Sequence, residues 1–183
     1  MKRALVAAAF LLGAIRSAHA QSADPDMVRV VDGFYRAYES FRPPDGVPNA
    51  IIRRRFEPFI SPALEKLLTD LAAVQSRYET LTEGRFPPLI EGDPFTPNFD
   101  GATSYVVGAC SADAHGAHCE VSLTFGAAKD KLRSWTDTVA LVRTDAGWRV
   151  NDIAYGGTWD GGNRGTLAET LTSAIEHGND MKQ

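Results

Sequence analysis

The sequence predicts an α+β fold: a curved antiparallel sheet of about four strands packed on N-terminal helices, followed by a short C-terminal helix. Three observations predict it. Apolar residues recur every three or four positions between Met27 and Leu81, then alternate every second position between Ser104 and Tyr155. Capping residues open the helical stretches, and glycine-containing turns separate the alternating ones.

Asp24-Pro25 opens the first helix, the carboxylate accepting from unpaired amides and the proline fixing the first turn. Met27, Val30, Val31, Phe34, Tyr38 and Phe41 then share one face, and Pro43-Pro44-Asp45-Gly46 ends the helix. Residues 51–59 read as a short helix interrupted by Pro58. Ser61-Pro62 starts a long amphipathic helix with Leu64, Leu67, Leu68, Leu71, Val74, Tyr78 and Leu81 along one side. Residues 84–101 carry four prolines and the aromatic residues Phe86, Phe95 and Phe99. Three phenylalanines need burial, so this stretch reads as an ordered loop, not a tether.

Strands are expected over 104–112, 118–125, 132–144 and 147–155, with Asp145-Ala146-Gly147 making the last reversal a hairpin. Cys119, Val121, Leu123 and Phe125 take one side of the second strand, and Glu120, Ser122 and Thr124 the other. In the last strand Trp148 and Val150 differ in parity from Ile153 and Tyr155. A bulge near Asn151-Asp152 keeps all four inward. After the glycine-rich run 156–165, Thr166 and Glu169 have capping-box spacing for a terminal helix that turns Leu167, Leu171 and Ile175 inward.

The first twenty residues read as a secretory leader: Lys2 and Arg3, an apolar stretch from Ala4 to Ile15, then Ala18-His19-Ala20 at the cleavage site. Those twelve apolar residues span about 18 Å as a helix, short of a bilayer core of roughly 30 Å. Cleavage after Ala20 leaves residues 21–183 as one domain in the periplasm or outside the cell. No cysteine adjoins the site for lipid attachment, so no stable membrane insertion is expected after cleavage.

The mature chain has sixteen basic and twenty-three acidic residues, a net charge of −7, which argues against nucleic acid as a partner. Arg53, Arg54 and Arg55 form its one basic concentration and read as a solvated helix edge or a contact for an anion. Cys110 and Cys119 are the only cysteines. A symmetric hairpin turning at Ala114-His115 sets them opposite each other, where an exported protein forms a disulfide that pins strand register. His115, His118 and Cys119 crowd one turn without zinc-site spacing, so no metal is expected.

Phe34-Tyr35, Gly92-Asp93-Pro94-Phe95-Thr96 and Trp148-Arg149-Val150-Asn151-Asp152-Ile153 resemble a bacterial envelope family of unknown function, which includes many lipoproteins. That family is similar to the nuclear transport factor two-like superfamily, whose fold implies a curved sheet wrapped around helices as a cone with an internal pocket. The resemblance spans nearly the whole mature chain. Ketosteroid isomerases share the fold, with a carboxylate base and oxyanion donors from a tyrosine and a protonated acid.

Tyr35, Tyr38, Tyr105 and Tyr155 are candidate phenolic donors, and Asp137 and Asp152 candidate acids, for such a pocket. Phe95 and Phe99 are candidate anchors for a partner. No hydrolase elbow, phosphate loop or calcium-loop spacing occurs, and no metal or organic cofactor is implied. The expectation is an exported envelope protein with a non-catalytic binding or accessory role toward a protein partner or a small apolar ligand. The alternative is a pocket enzyme of ketosteroid-isomerase or cyclase type that uses a carboxylate and a tyrosine.

Overall fold

Four antiparallel strands lie side by side in sequence order: β1 (Ser104–Asp113), β2 (Gly116–Phe125), β3 (Arg133–Thr144) and β4 (Gly147–Ala154). The computed structural model describes residues 24–41, 46–113, 116–126 and 132–181. The leader, most of Pro43-Pro44-Asp45-Gly46 and the Ala114-His115 turn lie outside the described residues. Four helices complete the α+β architecture: α1 (Pro25–Glu39), α2 (Ala50–Phe56), α3 (Pro62–Thr82) and α4 (Leu167–Asp180).

Each helix begins where a side chain accepts from its first amides. Asp24 accepts from Asp26 N, Asn49 from Ile51 N and Ile52 N, and Ser61 from Leu64 N. Thr166 and Glu169 close a reciprocal capping box on α4. α1 ends at Glu39, before the prolines that were expected to stop it, with Ser40 capping onto Ala37 O and Tyr38 O. The expected loss of helix at Pro58 comes earlier too, at Phe56.

The sheet is curved and open, and one core cluster fills its concave side. Along β2 and β3 the buried residues Cys119, Val121, Leu123, Trp135, Asp137, Val139 and Leu141 face the helices, while Glu120, Ser122, Ser134, Thr136 and Thr138 face out. α1 runs beneath the sheet from β4 to β1, and α3 and α4 pack on each other and on β4. At one margin the indole of Trp148 donates to Asp24 at 2.8 Å, joining β4 to the cap of α1.

Cys110 and Cys119 are register partners and form the disulfide. β1 shifts register between Val107 and Cys110, and the pairing beyond that point is the one the cysteines hold. β4 shifts between its partners Ala140 and Leu141, at Asn151. Val150 and Ile153 are therefore both fully buried, as the parity of the apolar residues requires.

The two margins of the sheet differ. β4 is covered by a parallel bridge from Ile60 to Val150 and an antiparallel bridge from Ala154 to Thr166. Ser61 N, Val150 N and Tyr155 N all complete bonds across that margin, at 2.8, 2.8 and 3.0 Å. β1 has a neighbour on one side only, among the described residues.

Two expectations of burial fail. Of the three loop phenylalanines only Phe95 is buried, whereas Phe86 and Phe99 are 59% and 51% exposed. Leu81, in the last turn of α3, is 60% exposed, with no element covering it among the described residues. The loop keeps its order through polar bonds and a single anchoring ring, so burial of all three rings is not needed.

Candidate functional site

Residues 92–98 are all buried although they belong to no helix or strand. A loop in the interior must satisfy its polar groups internally, and this one does so through Asp93. The Asp93 carboxylate accepts from Phe95 N at 2.7 Å, from the Thr96 hydroxyl at 3.3 Å and from the phenol of Tyr38 on α1. Its own amide donates to Phe99 O at 3.0 Å. From the far side, Asn163 donates through Nδ2 to the carbonyls of Asp93 and Thr96 at 2.9 and 2.8 Å.

These bonds place Phe95 at the centre of an aromatic chamber. Its ring stacks on Phe56 of α2, with centroids 5.0 Å apart, and meets Phe34, Tyr38 and Phe41 edge-on. These side chains fill the interior around Phe95. The space left beside Tyr38, Phe41, Ala102 and Tyr105 is about 10 Å³, the room for a water molecule's centre and no more.

A second acid lies under the sheet. Asp137 is fully buried on the inward face of β3, where Trp135 Nε1 donates to one oxygen at 3.1 Å and Gly156 N to the other at 2.8 Å. Burial pushes both acids up, Asp93 to about 7 and Asp137 to about 6, with neighbouring donors offsetting part of the rise. Each of the two acids raises the phenol of Tyr35, after burial itself. The Tyr35 hydroxyl is buried and has no hydrogen-bond partner among the described residues.

The remaining sequence candidates separate by role. Tyr38 joins the Asp93 cluster, and burial followed by Asp93 raises its phenol above the usual tyrosine range. Tyr155 donates to Pro94 O and so ties the end of β4 to the loop. Tyr105 points elsewhere, donating to Asp32 on α1 at 3.0 Å. Asp152 caps local backbone, accepting from Ile153 N and from Ala168 N in α4 at 2.8 and 2.9 Å. Phe99 stays at the surface beside the buried loop.

Asp93 was not singled out by its residue type in sequence. Its signal is local: an acid followed by proline, with Phe95 and Thr96 at the offsets of an Asx turn between two buried prolines. Tyr35, Tyr38, Asp137 and Tyr155 gather around Asp93, whereas Asp137 and Asp152 hold different parts of the backbone. Among the described residues no group of three or more His, Cys, Asp or Glu side chains is placed to hold a metal ion.

An open depression adjoins the small cavity beside Tyr38, sharing Glu39, Ser104 and Tyr105 with it. Pro25, Val28, Arg29, Asp32 and Glu39 of α1 face residues 104–107 of β1 across a depression of about 630 Å³. One wall is therefore a helix and the other a strand margin with no neighbour among the described residues. Val106 on that strand is 67% exposed. Neither a protein-family model nor a curated protein sequence matches the chain.

Proposed function

We propose that the chain is an exported envelope protein that works by binding another protein, not by catalysis. One observation carries this reading: both oxygens of Asp93 and of Asp137 accept hydrogen bonds from within the fold, and the chamber is packed with Phe34, Phe56 and Phe95. A substrate needs space against a reacting group, and Asp137 has Trp135 and Gly156 in that space.

Removal of residues 1–20 leaves one domain with the cone architecture of the nuclear transport factor two-like superfamily. The order of helices before a curved meander sheet supports that assignment, and the disulfide supports an oxidising compartment such as the periplasm. No helix among the described residues is long and apolar enough to cross a membrane.

The binding face in this reading is the margin of β1 with its α1 wall. A partner adding an extended segment there completes main-chain hydrogen bonds along β1 while its side chains reach Val28 and Tyr105. The β4 margin is already bridged and offers no such row.

Mild crosslinking of a tagged copy in the periplasm, with the partner identified, tests the reading. A specific partner recovered by the wild-type chain and lost with Val106→Lys supports it; recovery of the chain alone opposes it. An isomerase-type activity draws its support from the raised acids and the unpartnered Tyr35 hydroxyl. Turnover of a ketosteroid that disappears in Asp137→Asn would establish that alternative.

A further inference from the structure

We infer that the outward face of α2 is a docking surface for an anionic lipid bilayer: Ile51 reaches toward the acyl chains while Arg54 and Arg55 meet lipid phosphate groups on either side of it. Residues three and four apart stand together on a helix, so these three side chains share one face. All three are exposed, Ile51 by 64%. A branched apolar tip flanked by two cations matches the layering of such a membrane, hydrocarbon beneath a negatively charged surface.

The opposite face of α2 fixes how the three are presented. Phe56 is fully buried and stacks on Phe95, and Ile52 packs against the core. Arg53 Nη1 donates to Pro48 O at 3.0 Å, which ties the helix to the chain that leads into it. Exposure of Ile51 is therefore a property of a seated helix, not of a loose end.

Charge supports this occupant. The mature chain is negative overall, yet its arginines 53 to 55 follow one another, and no ion pair among the described residues includes any of them. Glu57 is the acid nearest to them in sequence; it is exposed on the edge of the same face and pairs with neither Arg54 nor Arg55 among the described residues. A negative molecule with one positive helix face turns that face toward a negative surface. The contact is peripheral, because seven helical residues span about 10 Å and lie on a bilayer without crossing it. Each arginine brought to such a surface strengthens partitioning about fivefold, and added salt screens the attraction.

Flotation of the untagged mature chain with vesicles of equal parts phosphatidylglycerol and phosphatidylcholine tests this, with pure phosphatidylcholine vesicles as the reference. The expected result is binding to the anionic vesicles alone, falling steeply as sodium chloride is added. Arg54→Gln with Arg55→Gln is expected to weaken binding about twentyfold or more, and Ile51→Ser about fivefold. Glu57→Gln is expected to strengthen it, a change that a merely structural role for the arginines would not produce. Thermal melts matched to wild type separate loss of binding from loss of fold, since all four side chains are exposed. No binding to the anionic vesicles, equal binding to both kinds, or binding that survives loss of both arginines overturns the assignment. So does displacement by inorganic phosphate beyond that by chloride at equal ionic strength, which would mark a site for a free anion.

Discussion

The phenol of Tyr38 donates to Asp93 across a separation of 55 residues, while its oxygen accepts from Ala102 N at 2.7 Å. One hydroxyl thereby fixes both ends of an irregular loop against α1. The first helix carries an apolar face into the core, and this bond makes the same helix the anchor of the buried loop 92–98.

Burial of Asp93 and Asp137 gives stability a defined pH dependence, which the Tyr38 bond to Asp93 offsets in part. Asp93 at about 7 and Asp137 at about 6 both lie above the ordinary 3.8, so the folded chain binds protons more tightly than the unfolded one. Their contribution is complete below about pH 4 and is lost as pH climbs through 6 and 7. The thermal midpoint of Asp93→Asn relative to wild type is expected to rise between pH 5 and 8; a difference that stays constant contradicts the assignment.

Truncating Phe95 tests the packing of the chamber. Its ring touches Phe34, Tyr38, Phe41 and Phe56, so Phe95→Ala leaves a cavity lined by four aromatic residues. The expected loss is about 3–5 kcal/mol in urea denaturation. Phe99→Ala, at the exposed position, is expected to change stability by less than about 0.5 kcal/mol.

Tyr35→Phe is expected to move the other way. The hydroxyl is desolvated without a bond in return, so removing it while keeping the stacked ring stabilises by about 1 kcal/mol. A loss of more than about 1 kcal/mol in the same denaturation assay would show that the hydroxyl makes a strong bond in solution.

Reduction of the Cys110–Cys119 disulfide, or Cys110→Ser with Cys119→Ser, is expected to cost about 2–3 kcal/mol. The cysteines sit where β1 has just changed register, so exchange protection should fall first at residues 110–112 and 117–119. Equal loss over all four strands would instead point to a purely global effect.

The sheet was legible in sequence because its signals are local and redundant. Alternation placed the buried face of β2, the cysteine spacing fixed the hairpin register, and the parity break in Trp148-Arg149-Val150-Asn151-Asp152-Ile153 located the bulge at Asn151. Helix starts were equally plain, since Asp24, Ser61 and Thr166 act within three residues of themselves. Asp93 escaped because its decisive partners, Tyr38 and Asn163, lie 55 and 70 residues away. The same distance problem hid the difference among the phenylalanines: Phe86, Phe95 and Phe99 have the same side chain, and within the loop the bonds of Phe95 N to Asp93 and of Asp93 N to Phe99 O set Phe95 inward and leave Phe99 outside.

The unequal margins of the sheet also limit how copies of this chain can join. Two molecules meeting β1 to β1 in antiparallel sense would share a continuous eight-stranded ribbon whose outer rims are both stitched by Ile60 and Thr166. In such a pair the bridges at both outer rims would occupy part of the backbone row that a further strand needs.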